Sequence, residues 1–122
     1  MRVALTLALF APLAFAAMPA QAQIQDGDRV ASAAIAKGDY SGAERMLTQE
    51  LRIYPNRPEL LLNLATVYAR TGRQADARAL YRRVLDQDDV LMDLSADRIA
   101  GSHAIAEAGL RQLGGAQVAA TR

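Results

Sequence analysis

Apolar residues recur along this chain at intervals of three and four. Leu61, Leu64, Ala65 and Tyr68 form one such series, and the spacing puts them on one stripe of a helix. Ala77, Leu80, Tyr81, Val84 and Leu85 form the stripe of a second helix. Thr71-Gly72-Arg73 lies between the two. Its glycine stands where the first helix must stop and reverse, a position that tolerates φ > 0. Ala65 and Ala77 are small enough for the two backbones to approach closely, and Tyr68 and Tyr81 fill the volume beside them. Upstream, Lys37-Gly38-Asp39 separates Val30-Ala31-x-x-Ala34 from Ala43-x-x-x-Leu47 in the same way. Pro55-Asn56-Arg57-Pro58 punctuates the junction, and Pro58 suits the first turn of the helix that follows.

The chain also matches itself at an offset of 34 residues: Gly38 with Gly72, Ala43 with Ala77, Ala31 with Ala65, Leu51 with Leu85. Val30 against Leu64 and Leu47 against Tyr81 keep apolar character. This pattern resembles the tetratricopeptide repeat, a helix–turn–helix unit of that period. The resemblance runs from about Ile24 to Asp89. It implies an all-α fold of two repeats, residues 23–56 and 57–89, followed by a C-terminal capping segment over 90–113 and a tail over 114–122. Two positions depart from the pattern. Gly27 stands where a bulky residue is expected, and Asp89 stands where the second unit would close with proline.

Two repeats alone rarely bury a continuous core, so the residues after Asp89, or another molecule, must close the array. Val90-Leu91-Met92-Asp93-Leu94 is a short apolar stretch that suits an extended conformation, with a turn over Ser95 to Arg98. Ser102 is the expected N-cap of a final helix. Ile105, Ala106, Ala108, Leu110 and Leu113 give that helix an apolar side, and Gly114-Gly115 is expected to end it. A longer helix from Ala96 would keep the spacing but would enclose Gly101 and Ser102. The helix either caps the second repeat or faces a partner or a second copy.

The first 22 residues read as a cleavable signal peptide. Arg2 supplies the positive start, Val3 to Ala17 is a 15-residue apolar run broken only by Thr6 and Pro12, and Ala20-Gln21-Ala22 offers a cleavage site. Ala14-Phe15-Ala16 is a weaker alternative site. An uncleaved anchor is the competing reading, but the run falls short of the roughly 20 residues needed to span a bilayer. Export to the periplasm is the expectation. Cleavage after Ala22 would leave 100 residues with 13 basic and 13 acidic side chains. Such a balance is not built for bulk attraction to nucleic acid or anionic lipid.

Composition narrows the chemistry further. The chain has no Cys, which excludes thiol nucleophiles and cysteine-ligated metal sites, and one His leaves no multi-histidine site. Only 5% of residues are aromatic, few for stacking bases. His103 lacks the company of a nucleophile elbow, a zinc-binding His pair or a phosphate-binding glycine loop, so it reads as a packing or capping residue. Asp86, Asp88, Asp89, Asp93 and Asp97 form an acidic run after a helix end, where carboxylates oppose the helix dipole. Pairing with the preceding arginines is the simplest reason for it. The calcium-loop pattern fails, because Val90 stands where a ligand and Leu91 where a glycine would be needed. Arg70, Arg73, Arg78, Arg82 and Arg83 form a basic stretch beside that run, read as a solvated helix face or as a surface for stacking copies. No cofactor, metal or catalytic residue is expected.

By resemblance, tetratricopeptide arrays present a concave surface, made by the first helix of each unit, to a peptide or protein. Here that face would consist of Asp28, Ser32 and Ile35 from the first unit and Leu62, Asn63, Thr66 and Arg70 from the second. Some members clamp a terminal carboxylate with Lys, Arg and Asn. Asn63 matches the clamp asparagine, but Asp28 and Ser32 replace the Lys and Asn, so that clamp is not expected. The reading is therefore a non-catalytic, periplasmic interaction module with a protein or peptide partner and no nucleic acid. With Ile35 and Leu62 partly exposed, the groove would favour a peptide with apolar anchors. A self-associating structural protein is the alternative, and a small enzyme built on His103 a remote one.

Overall fold

The computed structural model describes residues 20–95 and 98–121, with side chains described from residue 28 onward except at residue 95. Its elements are α1 (Ala20–Ala36), α2 (Tyr40–Ile53), α3 (Pro58–Arg70), α4 (Gln74–Leu85), β1 (Leu91–Ser95), β2 (Arg98–Gly101) and α5 (Ser102–Ala120). Most of the expected signal peptide, residues 1–19, lies outside the described residues, and the expected cleavage position after Ala22 falls inside α1.

The first four helices form two hairpins with matching turns. Gly38 has φ +79° and Gly72 φ +80°. At the first turn the Gly38 amide donates to Ile35 O (3.0 Å) and the Asp39 amide to Ala34 O (2.9 Å). At the second, the Arg73 amide donates to Tyr68 O (2.8 Å). Both turns use the helix-ending motif in which a glycine in the left-handed region brings the next amide back onto the last carbonyls. The Asp39 carboxylate then caps α2 by accepting from the Gly42 amide at 3.0 Å. Pro58 opens α3, with Glu59 in its first turn and Arg70 in its last. Asp76 and Arg82-Arg83 stand likewise at the two ends of α4, each complementing the helix dipole.

Packing follows from the small residues. Ala31, Ala43, Ala65 and Ala77 are fully buried, which lets the helices approach closely. One core cluster joins α1, α2 and α3 through Ala31, Ala43, Leu47, Leu60, Leu64 and Val67. A second joins α3, α4, the hairpin and α5 through residues such as Leu61, Leu62, Tyr81, Val84, Met92 and Ala106. α3 belongs to both, which is why three successive leucines, Leu60, Leu61 and Leu62, are all buried. Polar ties run alongside. Arg83 donates to Pro55 O (2.8 Å) and Asn56 Oδ1 (3.0 Å), and Arg73 bridges from the second turn to Glu44 of α2 at 2.7 Å.

The stretch after α4 is extended, as expected, but it pairs with a second strand that the sequence pattern does not announce. β1 and β2 form an antiparallel ribbon with Leu91 opposite Gly101, Met92 opposite Ala100 and Asp93 opposite Ile99, and an irregularity between Asp93 and Ser95. Met92 turns inward to the second core cluster. α5 then packs on α4 and α3. Gly109 lies 44 residues after Ala65, ten more than the repeat length, and is buried against the ring of Tyr81. α5 thus sits like the first helix of a further unit, displaced in sequence by the hairpin.

Two local expectations need correction. Ser102 is not the N-cap of α5 but its first residue, with Gly101 in the cap position and no side-chain cap from it. The capping carboxylate comes from Asp89, which accepts from the His103 amide (3.0 Å) and from Ser102 Oγ (3.2 Å). Ser102 is fully buried because it stitches helix to strand: its amide donates to Val90 O (2.8 Å) and its Oγ accepts from the Val90 amide (3.0 Å). Nor does Gly114-Gly115 end α5, which continues to Ala120. Neither glycine has a neighbour to clash with, and Arg78 holds the added turns by donating to Gln117 Oε1 at 3.1 Å. Among the described residues no helix is long and apolar enough to cross a membrane.

Candidate functional site

The seven residues expected to form a partner-binding face lie on α1 and α3. Asn63 is the hinge of the arrangement. Its Nδ2 donates to Asp28 Oδ1 and, at 3.2 Å, to Ser32 Oγ. Residues 31 and 35 positions apart in sequence are thereby neighbours, since one repeat length carries a position to the equivalent point on the next first helix. Thr66 and Arg70 continue the same stripe of α3 at steps of three and four. Thr66 folds its hydroxyl back onto Leu62 O at 2.9 Å. Ser32 and Arg70 are exposed, and Ile35 is half-buried against the first core cluster.

Leu62 does not fit the expectation. It was expected to be partly exposed in the groove, and it is 4% exposed and packed in the second core cluster. The face is therefore polar around Asn63, with Ile35 as its apolar contribution. It also carries an internal strain of charge. Burial, with Glu59 next in importance, pushes the Asp28 carboxyl up from its usual value, against the pull of the Asn63 hydrogen bond and of Arg57 and Arg29. Asn63 is already engaged with two side chains of α1, so the Asn-based clamp is not arranged here.

His103 is held as a packing residue. Its ring Nε2–H donates to Gln87 O at 2.7 Å. Among the described hydrogen bonds and ion pairs, none joins it to Asp93 or Glu107. Among the described residues, Asp86, Asp88, Asp89 and Asp93 form no ion pair with the preceding arginines, contrary to expectation. Asp89 is drawn to the start of α5, where the His103 amide, ahead of the Ser102 hydroxyl, holds its carboxyl below the usual range. Arg73 serves Glu44 and Asp76 and lies over the Tyr68 ring at 3.9 Å, while Arg83 serves the junction between units. Among the described residues no group of three or more His, Cys, Asp or Glu is placed to hold a metal ion. An open depression of about 550 Å³ runs along the outer side of α2, lined by Ser41, Glu44, Arg45, Thr48, Gln49 and Arg52, away from the expected face.

The family model for the tetratricopeptide repeat matches residues 34–90, from the end of α1 through α4. This is a small protein that contains tetratricopeptide repeats. Its helix–turn–helix units, their matched glycine turns and the helix that follows agree with that family. Neither a curated protein nor a solved structure matches the chain. What the sequence reading of this repeat protein missed is the exposed apolar surface of the hairpin, where Leu91 and Ile99 project from the ribbon. The run Val90–Leu94 was visible, but the partner strand Arg98–Gly101 is too short to show an alternation of its own.

Proposed function

We propose that this repeat protein is a non-catalytic protein–protein interaction module, exported to the periplasm, whose α1–α3 face receives a peptide or protein. The family itself supports the broader statement, since tetratricopeptide repeats suggest protein–protein interaction. The observation that carries the finer one is the run of accessible side chains across two adjoining first helices. Ser32, Ile35, Asn63, Thr66 and Arg70 stay exposed or half-buried there, while the leucines of α3 turn inward. Such a surface suits a partner with hydrogen-bonding groups and acidic side chains for Arg70, and one apolar contact for Ile35.

The test is a pull-down from periplasmic extract with wild-type protein and Arg70→Glu, with candidates identified by mass spectrometry. A specific partner lost in the variant supports the reading, and equal recovery in both overturns the role of this face. Leu62→Glu is not a useful probe, because it would place a charge in the core. Export is checked by fractionation and by the mass of the mature chain, expected to start at Gln23. Self-association is the second reading, suggested by the separation of the basic stretch of α4 from the acidic run after it. Size-exclusion with light scattering at low and high salt separates the two: a salt-independent monomer favours the partner face, and an oligomer that dissociates in salt favours stacking of copies.

A further inference from the structure

The hairpin is the least covered apolar part of the described residues. Leu91 is 78% exposed and Ile99 72% exposed. The ladder explains why both face outward. The Ser102 amide donates to Val90 O, which makes 90 and 102 a hydrogen-bonded pair. Hydrogen-bonded and non-bonded pairs alternate in an antiparallel ribbon. Leu91–Gly101 and Asp93–Ile99 are therefore non-bonded pairs, and their backbone N–H and C=O groups point away from the partner strand. Side chains of these residues share one face, opposite Met92, which is buried. Among the described residues, the outer edge of β1 thus offers unpaired backbone groups at Leu91 and Asp93, beside an apolar surface of Leu91 and Ile99. A two-stranded ribbon is marginal by itself, and a free edge of this kind takes up a further strand.

Charge selects the occupant. Asp93 sits in the middle of the exposed face, and Asp86 and Asp88 are exposed on the approach to it. Among the described residues none of the three has a cation within ion-pair distance. A lipid surface would have to bury the Asp93 carboxylate without a partner, which is strongly unfavourable. A second copy paired along β1 and centred on Asp93 would set carboxylate against carboxylate. An incoming strand with Lys or Arg opposite Asp93 and an apolar residue opposite Leu91 satisfies both. We propose that the outer edge of β1 binds an extended segment of a partner protein in which a basic and an apolar residue stand two positions apart, added to the hairpin as a third strand. This surface shares no residue with the α1–α3 face and stands independently of it.

The probe is a soluble peptide, acetyl-Thr-Val-Thr-Lys-Thr-Val-Thr-Lys-amide, titrated into the isotopically labelled protein and followed by NMR. Saturable shifts are expected at the amides of Leu91, Asp93 and Ile99. Leu91→Thr, which keeps strand propensity and changes only an exposed side chain, is expected to weaken binding by about two- to fivefold. Asp93→Lys is expected to reverse the preference toward the same peptide with Glu in place of Lys. N-methylation of the peptide at alternate residues is expected to abolish binding, because it removes the edge hydrogen bonds. Far-UV circular dichroism verifies that both variants keep their helices. The proposal is overturned by absence of binding, by equal binding of the Lys and Glu peptides, or by survival of binding after N-methylation. Concentration-dependent dimerisation abolished by Leu91→Thr would overturn it in favour of a second copy as occupant.

Discussion

Gly109 tests whether α5 is fitted to the repeats or merely adjacent to them. A Cβ built on Gly109 would stand 2.3 Å from Cζ of Tyr81 and 2.6 and 2.7 Å from its two Cε atoms. Contacts that short cannot persist, and the ring cannot swing away freely: Tyr81 is 5% exposed and packed among Leu61, Val84, Met92 and Ala106. Forcing a methyl into such a site costs about 1–3 kcal/mol. Against this, alanine is favoured over glycine inside a helix by about 1 kcal/mol. Gly109→Ala should therefore be destabilising by up to about 2 kcal/mol, which lowers the Tm by as much as about 10 °C in a domain of this size. Gly114 and Gly115 provide the control, for the same substitution in the same helix meets open space at both. Gly114→Ala should gain most of the propensity term and raise the Tm by a few degrees. Thermal and urea unfolding followed by circular dichroism measure all three. Tyr81→Leu completes the test, because on that background Gly109→Ala should become neutral or stabilising. Two results would refute the reasoning: a Gly109→Ala protein more stable than wild type, or one destabilised equally with and without the Tyr81 ring.

Three further outcomes follow from the same structure. Gly38 and Gly72 have nearly equal positive φ and nothing within reach of an added Cβ, so alanine at either meets backbone strain alone. Each substitution should lower stability in urea by about 1 kcal/mol, and the two losses should agree closely. Asp28 has its pKa raised by burial, so its ionised form opposes folding at neutral pH, and that opposition fades as pH falls through the folded-state value toward the unfolded one. NMR titration of the carboxyl should find it above the usual aspartate value, and higher again in Asn63→Ala, which removes the hydrogen bond that partly offsets the shift. Asp89 has the opposite sign. Its depressed pKa contributes stability that is present above the unfolded value of about 3.9 and is lost as pH falls through the lower folded value. Asp89→Asn should unfold at a lower temperature at pH 7, and the difference from wild type should shrink in acid. A constant difference down to pH 2 would show that the carboxylate charge is not what caps α5.

The helices and their turns were legible because each rests on a local rule that the chain states twice. The stripe Leu61, Leu64, Ala65, Tyr68 and the glycine after it describe a helix and its stop, and an offset of 34 repeats both. The meeting of Asp28 and Ser32 with Asn63 was legible for the same reason, since Asn63 lies about one repeat after each of the other two. Leu62 was misplaced because periodicity marks one buried stripe, whereas α3 is covered on two sides by different helices. The cap of α5 was assigned to Ser102 by proximity. The group that performs it, Asp89, lies 14 residues before His103 and reaches it only because the hairpin turns the chain back. No local signature announces a cap supplied across a ribbon. The double glycine misled in the other direction: glycine weakens a helix by a finite amount, and a neighbouring side-chain contact such as Arg78 to Gln117 can outweigh it.

The hairpin explains several departures at once. A second unit that closed with proline where Asp89 stands could not have supplied a carboxylate to the next helix. With aspartate there, the chain runs out into a ribbon and returns with Gly101 beside that carboxylate, so close that a Cβ on Gly101 would stand 2.7 Å from it. α5 then meets Tyr81 with a buried glycine at the place where α3 and α1 carry buried alanines. Asp89, Gly101, Ser102 and Gly109 are thus one device: the first three set where α5 begins, and the fourth sets how closely it packs. The ribbon that this device requires leaves Leu91 and Ile99 outside the core. An uncovered apolar pair is unfavourable in water, and closing the array does not need those two side chains to be apolar, because the inward face of the ribbon is the opposite one, which carries Met92 and Ala100. Their apolar character is accounted for by a surface that is covered when a partner is bound, not by the packing of the repeats.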